Sequence, residues 1–195
     1  MTLLDNVLAH NQKFVNDKQY EGFQTTKYPD KKVVIFTCMD TRLSQLLRSA
    51  MDINHGDAKF IKNAGAVISH PFGSVMRSIL LAVYELKAEE VMVVGHHNCG
   101  MAGLESDGIV KKAKERGVSL KTIETLEFAG IDIKSFLTGF NNVEESVRNS
   151  VKLIKNHPLL PDTIPVHGLV ISPDTGSLDL IVDGYGTKST VNDVK

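Results

Sequence analysis

The sequence predicts an α/β fold, a mainly parallel central sheet flanked by helices. Two short runs, Val33-Val34-Ile35-Phe36-Thr37 and Val91-Met92-Val93-Val94, are apolar without polar alternation, the pattern of strands buried on both faces. The segments between them carry apolar residues at helical spacing. Strand, helix, strand, helix, strand is the order of a parallel α/β sheet.

The elements follow in order. Residues 2–17 read as a helix, opened by Thr2 with Asp5 three positions later as a capping box. Leu3, Leu4, Val7, Leu8, Phe14 and Val15 share one stripe of it. Lys18 to Lys32 is polar and contains Tyr28-Pro29-Asp30, so it reads as a connection and the first helix as an arm. After the strand at 33–37, Leu43, Leu46 and Leu47 fall at helical spacing. Ala58 to Lys62 is a weaker strand closed by Asn63-Ala64-Gly65, and Ser74 to Lys87 a strongly periodic helix. The strand at 91–94 ends at Gly95. Residues 109–140 break into short helices around Gly117, Gly130 and Gly139, and Val143 to Lys155 is a longer amphipathic helix stopped before Pro158. Val166–Ser172 and Ser177–Asp183 flank the turn Pro173-Asp174-Thr175-Gly176. The economical division is a single domain over 1–195, with 1–29 as arm and connection and 30–195 as the body.

Composition narrows the function. With 195 residues the chain can bury one sizeable core, and 42% hydrophobic with 23% charged residues excludes disorder or coiled coil as the main architecture. Lys+Arg is 22 against 23 Asp+Glu, a net charge of -1, which argues against nucleic acid or an anionic membrane as partner. No apolar run approaches the roughly 20 residues that span a bilayer. The first residues lack the basic and apolar regions of a signal peptide, so a cytoplasmic location is expected. There the two cysteines, Cys38 and Cys99, stay free thiols or bind metal.

Their placement points to metal. Cys38 follows one buried strand; His96 and Cys99 follow another. Ligands in parallel sheets bind beyond the carboxyl ends of strands, so the two groups can meet although 58 positions separate Cys38 from His96. Singly, a cysteine there reads as a small buried hydrophobe and His96 as a core histidine. Together they offer two thiolates and an imidazole, a set used for catalytic zinc with an open fourth position. Sulfur with imidazole favours zinc over magnesium or calcium. Asp40 and Arg42 lie close by in Cys38-Met39-Asp40-Thr41-Arg42. As a surface ion pair they count for little. In an extended segment, however, alternation sets Cys38, Asp40 and Arg42 on one side, with Arg42 able to hold the carboxylate bidentately. The carboxylate can then accept a hydrogen bond from a zinc-bound water or displace it and ligate zinc itself.

Cys38-Met39-Asp40-Thr41-Arg42 and Gly95-His96-His97-Asn98-Cys99-Gly100 resemble the two signature motifs of the β-class carbonic anhydrases. Asn63-Ala64-Gly65 and the late strands fit too, so the resemblance spans roughly residues 30–183, nearest the compact bacterial subgroup. It implies Zn2+ held by Cys38, His96 and Cys99, an Asp40–Arg42 dyad, and a homodimer whose N-terminal helix wraps its partner, with dimers often pairing into tetramers. Two positions depart from the family pattern. His97 stands where a small residue is common, and Lys62 where Arg is common, which keeps the charge and loses the planar fork.

The implied reaction is CO2 + H2O ⇌ HCO3− + H+, carried by zinc-bound hydroxide. Two thiolates leave the metal site formally neutral, so a group that orients the hydroxide gains importance, and Asp40 held by Arg42 is the candidate. His97, His70 and His55 are candidate proton shuttles. Two competing readings use the same residues: hydrolysis of carbon disulfide or carbonyl sulfide, and a non-catalytic zinc-stabilised dimer that binds bicarbonate or a partner.

Overall fold

The computed structural model describes residues 1–186. The last residues of the expected body, 187–195, lie outside them. Five strands, β1 (Val33–Cys38), β2 (Ala58–Asn63), β3 (Glu90–His96), β4 (Val166–Ile171) and β5 (Leu178–Val182), form one sheet in the order β2-β1-β3-β4-β5. The first four are parallel and β5 runs antiparallel to β4. The described residues also form seven α-helices: α1 (Leu3–Asn16), α2 (Leu43–Ala50), α3 (Ser74–Tyr84), α4 (Ser106–Glu115), α5 (Leu120–Phe128), α6 (Ile133–Leu137) and α7 (Val143–Lys155).

β1 explains why the strands read as unbroken apolar runs. Val34 and Phe36 pack on one face with Met76 and Ile79 of α3 and Val147, Val151 and Ile154 of α7. Val33 and Ile35 pack on the other face with Leu43 and Leu47 of α2. Every residue of β1 is buried, so no position is left for a polar alternate.

Two glycines set the distance between α7 and the sheet. A Cβ on Gly95 of β3 stands 2.7 Å from Val147 Cγ2, and one on Gly168 of β4 stands 2.8 Å from Val147 Cγ1. Only glycine allows that approach, which seats the helix directly behind the carboxyl end of β3.

The element boundaries hold to within a few residues, with one informative difference. The periodicity of α3 runs to Lys87, but the helix ends at Tyr84. Lys87 turns left-handed (φ 60°) and the Ala88 N–H reaches back to the Ala82 carbonyl at 2.9 Å. The reversal into β3 takes precedence over propensity. Residues 106–137 are an excursion broken near Gly117 and Gly130, as their positive φ values allow. It closes on itself where Gly103 N–H donates to the Phe140 carbonyl and Gly139 N–H to that of Leu104.

At the N-terminus the capping box forms as the sequence predicts. Asp5 N–H donates to Thr2 Oγ1 at 3.2 Å and Thr2 N–H to Asp5 Oδ2 at 2.8 Å. No residue of α1 is buried. Among the described residues no helix is long and apolar enough to cross a membrane.

Candidate metal centre

β1 and β3 are neighbours, while the chain leaves β1 for β2 on its other side. That reversal of strand order opens a crevice at the carboxyl ends, the place where doubly wound sheets bind ligands. Cys38 is the last residue of β1 and His96 the last of β3; the turn after β3 returns Cys99 to them. One donor atom from each of the three lies within 4.8 Å of the other two, and all three side chains are buried.

The donors fit a tetrahedral soft cation. Zinc–sulfur bonds of about 2.3 Å at a tetrahedral angle put two thiolate sulfurs about 3.8 Å apart; Cys38 Sγ and Cys99 Sγ are 3.9 Å apart. His96 Nδ1–H donates to its neighbour's carbonyl, that of His97, at 2.8 Å. This leaves the lone pair on Nε2, which is buried and has no hydrogen-bond partner. An orphaned imidazole nitrogen facing two thiols is what a metal ion satisfies.

The thiols differ. Burial pushes the Cys38 thiol up, but the His96 ring and the Asp40 and Gly65 backbone N–H groups more than offset it, bringing it down to about 7. For His96 burial works downward, and the Cys38 sulfur, the His97 carbonyl and the Asp40 carboxylate together outweigh it to raise the ring. Cys99 is raised, by burial first. A cation between the two sulfurs favours the thiolate at both.

Asp40 stands beside this group, its Oδ2 3.8 Å from His96 Nε2. Arg42 holds it: Nε donates to Oδ1 at 3.0 Å, Nη2 to Oδ2 at 2.8 Å, and the Arg42 backbone N–H to Oδ1 at 2.9 Å. The Arg42 hydrogen bonds outweigh partial burial and hold the Asp40 carboxyl down at about 2. Strand alternation is not what brings the pair together. Arg42 has helical backbone angles (φ -62°, ψ -27°), and the contact is a turn in which Asp40 accepts the N–H two residues on. Arg42 Nη2 also donates to the Asn98 carbonyl at 2.9 Å, which ties the two loops together. Asn98 is left-handed (φ 53°), a conformation asparagine tolerates.

A cavity of about 400 Å³ opens over the centre, walled by Met39, Ala64, Gly65, Gly100 and Met101 beside Cys38, Asp40 and Cys99. The sequence marked the donors and the dyad but not these apolar walls, because methionine and glycine carry no chemical signature. It also passed over Asn98, whose part is played by a backbone carbonyl. His55, His70 and His97 do not line this cavity. His55 Nε2 meets the Phe23 carbonyl at 2.8 Å, His70 Nδ1 accepts the Phe72 N–H, and His97 faces Asp179 at 3.8 Å. Lys62 lines a different cavity, at the start of α3.

The carbonic anhydrase family profile matches residues 33–178, which contain every residue of this centre. The chain belongs to the β-class carbonic anhydrase family. It is 61% identical to YvdA of Bacillus subtilis, a protein named provisionally as a carbonic anhydrase, over 96% of this chain and 95% of the relative. Its fold matches the crystal structure of a Trichomonas vaginalis β-carbonic anhydrase with a TM-score of 0.84 and 32% identity, covering 95% of this chain and all of that one. A carbon disulfide hydrolase of Acidithiobacillus thiooxidans is 28% identical over 76% of each chain. As a member of this family the protein is an enzyme of the carbonic anhydrase type.

Proposed function

We propose that the protein catalyses the reversible hydration of CO2 to bicarbonate and a proton, at a Zn2+ ion held by Cys38, His96 and Cys99. The observation that carries this reading is the convergence of three buried donors beside the Asp40–Arg42 pair, under an apolar-walled cavity. Zinc bound there supplies a Lewis acid that makes water nucleophilic near neutral pH.

The chain's own groups do the rest. Asp40 stays ionised and accepts a hydrogen bond from the attacking water, which aligns the nucleophile's lone pair with the substrate carbon. Arg42 keeps that carboxylate turned to its own guanidinium instead of letting it swing in as a fourth zinc ligand. Met39, Met101 and Ala64 offer linear, apolar CO2 a wall that does not compete for hydrogen bonds.

The body from 30 to 195 acts as one catalytic domain, with 1–29 as an arm. The working unit is a homodimer, supported by the exposure of Leu3, Leu4, Val7 and Leu8 along α1. The place of work is the cytoplasm, where the free thiols of Cys38 and Cys99 stay reduced.

Carbon disulfide or carbonyl sulfide is the second reading of the same centre, favoured by the relative from Acidithiobacillus thiooxidans. Stopped-flow assays of the zinc protein with CO2, CS2 and COS decide between them. Rapid turnover of CO2 alone is the expected result. Turnover of a sulfur substrate without CO2 hydration overturns the first reading, and no turnover of any of them leaves a binding protein.

A further inference from the structure

The turn that follows β2 reaches the sulfur side of the metal centre. Asn63 lies opposite Cys38 in the parallel ladder, and its carbonyl accepts the Met39 N–H at 2.8 Å. Its side-chain amide meets Val67 twice. Nδ2 donates to the Val67 carbonyl at 2.7 Å, and the Val67 N–H donates to Oδ1 at 3.3 Å.

The chain inside this tie is strained. Gly65 and Ala66 are both left-handed, at φ 75° and 54°. For Ala66 that conformation crowds the Cβ against the backbone and persists only where the surroundings hold it. One further hold is visible: Ser150 Oγ, on α7, donates to the Ala66 carbonyl at 3.1 Å. What the turn achieves is the aim of one group. The Gly65 N–H donates to Cys38 Sγ at 3.3 Å.

We propose that Asn63 is a positioning residue for the metal centre: its amide ties the 63–67 turn so that the Gly65 N–H bonds the Cys38 sulfur and sets how strongly that thiolate donates to the metal. The inference rests on the reading of Cys38 as a ligand. An N–H donor withdraws charge from a thiolate and fixes its orientation, and such outer contacts change metal affinity by about 10–100-fold when removed. Without the amide the Gly65–Ala66 pair relaxes toward ordinary backbone angles and the N–H leaves the sulfur.

The test uses Co2+-substituted protein and the zinc protein side by side, as wild type, Asn63→Ala and Ser150→Ala. In Asn63→Ala the sulfur-to-cobalt charge-transfer band is expected to move to lower energy, because a thiolate relieved of its N–H donor holds its lone pairs higher. Zinc release to a chromogenic chelator should be at least about 10-fold faster. Ser150→Ala should move both readouts in the same direction and by less, and it carries the test if Asn63→Ala does not fold. A folded Asn63→Ala with the wild-type band position overturns the proposal, whatever its thermal stability, since a purely structural role would not move that band. If Ser150→Ala is the variant that must decide, an unmoved band there does the same. Wild-type protein that takes up cobalt without any sulfur-to-cobalt band removes the thiolate ligands themselves, and the proposal falls with them.

Discussion

At the carboxyl ends of β1 and β3, Cys38 and His96 are 4% and 1% exposed, whereas Leu3, at the start of α1, is 80% exposed and no residue of that helix is buried. The two regions are stabilised by different means. The centre is assembled from segments far apart in sequence, and the sheet, α7 and the Arg42–Asn98 contact fix it on several sides. Helix α1 is closed by local bonds alone, the Thr2–Asp5 box, and its contact with the rest comes through Phe14 against Phe23 and Phe23 against His55. In the first region the three donor side chains are brought together and buried within one chain. The second has an apolar stripe that this chain does not cover.

The contrast predicts where changes matter. The largest effect belongs to the donors: Cys38→Ser should drop zinc from about one per chain to a small fraction and abolish CO2 hydration. Elemental analysis that finds full zinc in this variant removes Cys38 from the centre and breaks the comparison at its stronger end.

Next comes the dyad. Asp40→Asn should keep zinc yet hydrate CO2 about 10²-fold more slowly or worse, and Arg42→Ala should lose activity by freeing the carboxylate to bind the metal. Rates near wild type for both variants across about pH 7–9, a window around the pKa of zinc-bound water, take the dyad out of the mechanism.

Packing behind the centre ranks third. Gly168→Ala puts a methyl 2.8 Å from Val147 Cγ1 and should cost about 1–3 kcal/mol in urea unfolding. An unchanged midpoint means that α7 retreats freely and does not brace β4.

The ion pair itself is a smaller term with a defined pH window. Asp40 is held at about 2, below the ordinary aspartate value of about 3.9. Its stabilising contribution is therefore complete above about pH 4 and disappears as pH falls through 2. The stability gap between metal-free wild type and metal-free Asp40→Asn should narrow over that interval, and a gap independent of pH contradicts the assignment.

The smallest effect on the body itself should follow removal of residues 1–20. The truncated chain should still unfold in one cooperative step, while sedimentation shows weaker self-association. An intact chain that sediments as a stable monomer at all concentrations ends the case for a partner over α1.

The comparison also separates what was legible in the sequence from what was not. β1 and β3 could be read because burial on both faces leaves unbroken apolar runs. That Cys38, His96 and Cys99 meet could be read because their residue types are rare and sit at strand ends. The Thr2–Asp5 box is local, and local bonds are written in adjacent residues.

The premature end of α3, the turn geometry that pairs Asp40 with Arg42, and the recruitment of the Asn98 carbonyl were decided by tertiary structure. So was the aim of the Gly65 N–H at Cys38. Each depends on a backbone angle or a main-chain group, and every residue type carries the same main chain. Side-chain chemistry is therefore visible in the letters of the sequence, while the backbone atoms that orient it acquire their roles only when the sheet brings the loops together.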